Sequence, residues 1–184
     1  MIILLTAILV AWLLWYYYNK IVGAGNRAQR AWADVLVYER QKIKVLDALE
    51  EQASSFKIYE SNVLEKVVGL RSALGRLPEA ASGEALKSTQ MATRELVGGL
   101  NMAFEAYPEL KAAGIVSGLM KEIVEQQANI AAAVTVFNRT VEEFNNCIQM
   151  FPSSMVNTVI NKKQAITPFS DKEAAASFDY KPNF

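Results

Sequence analysis

The chain has 184 residues, with 19 basic and 19 acidic side chains, no histidine and one cysteine. Zero formal net charge argues against a dedicated nucleic-acid binder, which carries a basic excess to neutralise phosphates. Without histidine there is no imidazole general base, no Ser-His or Cys-His nucleophile and no His-ligated metal; a lone Cys147 makes neither an internal disulfide nor a four-thiolate zinc site.

Residues 1–18 read MIILLTAILVAWLLWYYY and carry no charge. As a helix they span about 27 Å at roughly 1.5 Å per residue, close to the roughly 30 Å hydrocarbon core of a bilayer. No basic residue precedes the run and no A-x-A site follows it, which favours an uncleaved anchor over a signal peptide. Trp12, Trp15, Tyr16, Tyr17, Tyr18 and Lys20 suit a headgroup interface. Lys20, Arg27 and Arg30 follow the run, so the positive-inside rule puts the N-terminus outside and the rest of the chain in the cytoplasm. The hydrophobic excess, 52% overall, is concentrated in this anchor. The remainder has the composition of a soluble domain.

Residues 26–77 contain no proline. Val35, Tyr38, Val45, Leu49, Phe56, Tyr59 and Val63 recur in steps of three and four, interrupted by Lys42 and Gln52. This spacing predicts one helix of about 50 residues and about 75 Å, with Ser54-Ser55 as its weakest point and the place for a kink. Leu77-Pro78 ends it. A second helix is predicted over 82–106, with Ser82 as N-cap and Leu86, Met91, Leu96, Leu100 and Phe104 on its apolar side. Gly98-Gly99 weakens it or permits close approach of a neighbour.

Tyr107-Pro108 breaks the chain again, and Pro108 suits the first turn of a third helix. Ile123, Ile130, Val134, Phe137, Val141, Phe144, Ile148 and Phe151 form a heptad seam, with Gln127 in the gap. Asn138 and Asn145 sit beside the seam, seven residues apart, where they either bond across the bundle to fix register or face water. Pro152 ends this helix or opens a short one. Met155, Val156, Val159 and Ile160, followed by Lys162 and Lys163, make a short amphipathic segment suited to a membrane surface or to docking on the bundle end. The last stretch reads as a tail, in which Phe178, Tyr180 and Phe184 alternate and suit docking to a partner.

The expected organisation is therefore an anchor over 1–18, a helical bundle over 19–152, and an amphipathic segment with a tail over 153–184. The fold class is all-α, one transmembrane helix followed by an antiparallel bundle of long helices.

These pieces resemble the LemA family of bacterial membrane-anchored helical proteins. Tyr18-Asn19-Lys20-Ile21-Val22, Asn26-Arg27 and Ala31-Trp32 are similar to the family's opening pattern. Glu60 with Leu64-Glu65, and Glu105-Ala106-Tyr107-Pro108-Glu109-Leu110-Lys111-Ala112, resemble its middle signatures. Phe137-Asn138, Val141, Phe144-Asn145, Ile148 and Phe151-Pro152 resemble its later one. Val45-Leu46-Asp47-Ala48-Leu49 lacks the proline the family pattern carries there, which predicts a straighter first helix. Gln127-Ala128-Asn129-Ile130 and Val134 replace charged and polar family positions. The resemblance implies a bundle on one membrane helix in the bacterial inner membrane and supplies no reaction. Magnetosome-associated relatives link the family to membrane shaping.

The residues present little chemistry. Glu39, Glu50, Glu51, Glu60 and Glu65 form a carboxylate metal site only if they meet inside the bundle, and no histidine completes one. Gly23-Ala24-Gly25-Asn26 lacks the lysine of a phosphate loop. Cys147 reads as a partly buried, inert thiol. No cofactor, no metal and no catalytic residue is expected. The expected partners are the lipid bilayer, further copies of the chain and an unidentified protein. Two readings follow: a non-enzymatic scaffold that self-associates through its bundle and organises or shapes the membrane, or a tethered adaptor that binds a protein through its tail or a bundle groove. Ala131, Ala132, Ala133, Gly114 and Gly118 are expected to allow close helix approach.

Overall fold

The computed structural model describes residues 1–55, 61–106 and 114–170. They form helices α1 (Ile2–Ser55), α2 (Ser61–Gly75), α3 (Leu86–Ala106) and α4 (Ile115–Gln149), then a single turn α5 (Ser153–Val156) that runs into a π-helical turn at Asn157–Asn161. The all-α bundle is as expected. Its first helix is not.

The apolar run and the first bundle helix are one continuous element. The 54 residues of α1 extend about 81 Å at roughly 1.5 Å per residue. No proline interrupts them, and the two glycines, Gly23 and Gly25, lie within regular helix. Gly25 has a packing reason: a Cβ there would come 3.2 Å from the Phe144 ring of α4.

The predicted single helix over 26–77 is instead divided. α1 ends at Ser55, at the predicted weak point, and α2 lies back along it. Arg71 of α2 reaches Asp47 and, at 3.0 Å, Glu50 of α1. Val45, Leu46 and Leu49 pack against Val63, Val67, Leu70 and Leu74. Burying the two apolar faces against each other hides surface that a straight rod would leave in water.

α4 runs antiparallel to α1. Phe144 meets Gly25, Phe137 meets Trp32 with ring centroids 5.2 Å apart, and Arg27 lies 3.9 Å from Glu143. The core has two tiers. The anchor-proximal tier holds Ile21, Trp32, Val35, Phe137, Val141 and Phe144. The distal tier joins α1, α2 and α3 to the start of α4 through Leu46, Leu70, Leu96, Leu100, Val116 and Ile123.

Several local expectations need correction. α3 begins at Leu86, preceded by a 3-10 turn at Gly83–Ala85 that Ser82 caps without a side-chain bond. Met91 is exposed, and the buried register uses Thr89 and Thr93 instead. Each threonine hydroxyl donates to a carbonyl one turn back, Leu86 at 2.9 Å and Thr89 at 2.7 Å, so neither enters the core with an unmet polar group. Gly99 does admit a neighbour, since a Cβ there would meet Lys66 at 2.9 Å. Gly118 and Ala132, two of the small residues expected to allow close approach of a neighbouring copy, are exposed on the surface of the bundle. Gly114 caps α4 at φ +72°, a left-handed backbone that glycine adopts without strain. Pro108 and the side chain of Phe104 lie outside the described residues.

Candidate functional site

The chemistry of the bundle is concentrated in a buried polar layer, an asparagine-clasped segment, and the end of the bundle next to the anchor.

The polar layer separates the two tiers. Lys42 interrupts the apolar register of α1, and Gln127 interrupts the seam of α4. Their positions are joined by polar contacts. Lys42 Nζ lies 3.0 Å from Glu39 Oε2 and donates to Thr93 Oγ1 at 3.2 Å. Gln90 Nε2 donates to Glu39 Oε1 at 3.4 Å, and Gln127 donates in turn to Gln90. Both charged side chains are fully buried. Burial pushes the Glu39 carboxyl up from its ordinary range, opposed by Lys42. It pushes the Lys42 ammonium down, opposed by Glu39. The two groups therefore face each other at ion-pair distance with neither side chain reaching solvent. Of the other acidic residues considered for metal binding, Glu50 pairs with Arg71 and Glu60 lies outside the described residues. Among the described residues no three metal-ligating side chains come together.

The second arrangement went unread in the sequence. After the π turn, residues 162–170 run as an irregular strap up the side of α4, away from the anchor. Asn138 Nδ2 donates to the Phe169 carbonyl and Asn138 Oδ1 accepts from the Phe169 N–H, both at 2.8 Å. Asn145 clasps Ile166 in the same way, at 2.8 and 2.9 Å. Asn157 clasps Lys163 at 3.0 and 2.9 Å. Each side-chain amide thus satisfies both backbone groups of one strap residue. On the other side, the Gly83 N–H donates to the Thr167 carbonyl at 2.9 Å. A Cβ on Gly83 would lie 2.1 Å from the Phe169 nitrogen, so only glycine lets the strap pass. The turn carrying Gly83 is itself held to α1. Trp32 Nε1 donates to the Pro78 carbonyl at 3.0 Å, Gln29 Nε2 donates to the Glu79 carbonyl at 2.6 Å, and the Ala81 N–H donates back to Gln29 Oε1 at 3.1 Å.

The predicted asparagines therefore bond an irregular segment rather than a second helix. They hold the chain's own C-terminal segment, whose first part is not a free tail. Phe178, Tyr180 and Phe184 lie outside the described residues.

The seam residues Ile123, Ile130, Val134, Phe137, Val141, Phe144 and Ile148 are all buried within one chain. They form its own core, so a lateral contact between copies has to use other side chains. Phe151 departs from them and is 79% exposed. Along the anchor, every side chain from residue 1 to residue 16 is exposed. Trp12, Trp15, Tyr16 and Tyr18 stay exposed, Tyr17 turns toward the proximal core, and Lys20 is exposed. Trp12 stacks on Tyr16 with centroids 5.9 Å apart. A cleft of about 490 Å³ opens here, lined by Tyr17, Lys20, Arg27, Cys147 and Phe151 among others.

One helix is long and apolar enough to cross a membrane and continues without a break into an antiparallel helical bundle, an arrangement that fits a membrane-anchored bundle protein. The sequence profile of the LemA family matches residues 31–179, so the chain belongs to the LemA family. It is similar to Protein LemA of Metamycoplasma hominis, 29% identical over 139 residues, which cover 75% of this chain and 62% of that protein. The match thus spans less than two thirds of the relative's length.

Proposed function

We propose that the chain is a non-enzymatic structural protein, anchored in the bacterial inner membrane with its bundle in the cytoplasm, that associates laterally with copies of itself. The observation that carries this reading is the continuity of α1. One helix is apolar and exposed over its first fifteen residues and then supplies the core of both tiers. No flexible linker separates span from bundle, so the bundle stands at a fixed height and angle to the bilayer. Confinement to a plane also raises the effective concentration of copies.

A shallow groove between α1 and α4 supports the lateral contact. It measures about 370 Å³ and is lined by Ala31, Val37, Tyr38, Ala132, Ala133 and Val136 among others. Val37 and Val136 are 55% and 56% exposed, although they project from the side of a packed bundle. Contacts repeated along that side would space copies and impose curvature on the membrane.

The test uses the full chain in liposomes, with Cys147→Ser and a single new cysteine at Val136. Oxidation yields disulfide-linked dimers at a rate that exceeds the same cysteine at Val68. Equal, slow cross-linking at both positions refutes lateral association through the groove. That outcome leaves the adaptor reading, in which residues 171–184 contact a protein partner. Deleting only those residues tests it without disturbing the strap, and an unchanged partner set sinks it.

A further inference from the structure

The end of the bundle beside the anchor carries an apolar surface that the core does not use. α4 descends antiparallel to α1, so its last turn reaches the level of Lys20 and Tyr17, where the membrane run ends. The chain then turns at Pro152, and both α5 and the π turn pack on α1. Ser153 and Val156 face inward and are buried. On the outer side Met150, Phe151, Met155, Val159 and Ile160 are exposed, Val159 by 72%. Lys162 and Lys163 follow, both exposed, and the strap then climbs away.

Scattered apolar side chains need no explanation, but five within eleven consecutive positions, at the edge of a membrane span, do. The distal end of the bundle has no comparable run among the described residues. Buried and exposed positions divide the segment into a docked side and a free apolar side with basic residues at its end, the pattern of a helix that lies in an interface.

We infer that residues 150–160 form a second membrane contact, a short segment that inserts its outer side chains into the headgroup and upper acyl region beside α1. The occupant is the bilayer surface, because continuity with the span leaves this end of the bundle nowhere else to face. Lys20, Lys162 and Lys163 supply charge for anionic headgroups. Two points of contact, one spanning and one lying flat, fix the rotation of the bundle about the α1 axis as well as its height. The inference rests on the reading of residues 1–18 as a membrane span.

The experiment uses the full chain with Cys147→Ser, reconstituted into phosphatidylcholine–phosphatidylglycerol vesicles whose acyl chains carry bromine near the headgroup. An environment-sensitive fluorophore is attached to one cysteine at a time, replacing Leu9, Val159 or Val68. Val159 and Val68 are both exposed, so the label does not disturb the core. The inference expects acyl-chain quenching and a blue-shifted emission at Leu9 and Val159, and neither at Val68. Quenching at Leu9 with a Val159 label as unquenched as that at Val68 overturns the inference while leaving the anchor intact. Absence of quenching at Leu9 overturns both. A blue shift at Val159 without quenching, lost on dilution with lipid, assigns the surface to a second copy and also overturns it.

Discussion

The Glu39–Lys42 pair gives the sharpest test of the packing. At 3.0 Å and an effective dielectric near 20, their attraction is about 5.5 kcal/mol, set against a desolvation cost of several kcal/mol for each ion. The net value of the intact pair is therefore small, whereas removing one partner strands a fully buried charge. Lys42→Met or Glu39→Gln alone is expected to cost about 3–5 kcal/mol, while Glu39→Leu with Lys42→Met together is neutral or stabilising by about 1–4 kcal/mol. The two single losses also depend on pH in opposite senses. In Lys42→Met the desolvation that already raises Glu39 acts unopposed, so its folded pKa stays above the unfolded value. Stability is then fully present below the unfolded carboxylate pKa and is lost as pH rises through the folded one. In Glu39→Gln, Lys42 stays depressed, so stability rises with pH toward the unfolded lysine value. Urea unfolding of the three variants in detergent, at several pH values, measures this. Single losses below about 1 kcal/mol with flat pH profiles would refute a dry polar layer.

The other predictions concern the strap and the proximal core. Asn138→Ala and Asn145→Ala each remove two backbone bonds, a loss of about 1–3 kcal/mol at roughly 0.5–1.5 per bond. Amide exchange at Ile166 and Phe169 should accelerate in both variants while α1 amides stay protected. Gly83→Ala should release the same strap amides through steric collision alone, leaving the asparagines unaltered. Phe137→Ala removes a fully buried ring from beside Trp32 and is expected to cost about 3–5 kcal/mol, read as a fall in urea midpoint with unchanged slope.

The parts of the fold written in period were legible in the sequence. The α4 seam buries at the positions its three-four spacing names, and Lys42 and Gln127 stand in those registers where the two tiers meet. Thr89 and Thr93 were missed because a polar side chain counts against burial unless its hydroxyl has a local acceptor. The spacing 86, 89, 93, 96, 100, 103 carried the signal. The fold-back of α2 follows from tertiary packing rather than from a helix breaker, since neither proline nor glycine marks the end of α1. The strap was unreadable because its partners are backbone atoms, and backbone leaves no pattern in side chains. Only the seven-residue interval between Asn138 and Asn145 hinted at a ruler. The identity of what is measured came from the structure.

That ruler has a geometric limit. Seven helical residues advance about 10.5 Å, while three strap residues reach about 10–11 Å only when fully extended. Two marks on α4 stay within hydrogen-bond tolerance, at Phe169 and Ile166. A third mark on the same scale would fall at Pro152, beyond the end of α4 and with no amide to offer. Asn157 takes its place from a separate turn and meets Lys163. Because the amides grip main chain alone, residues of the strap between the marks can change freely so long as their number does not. One inserted or deleted residue between 163 and 169 would put it out of gauge.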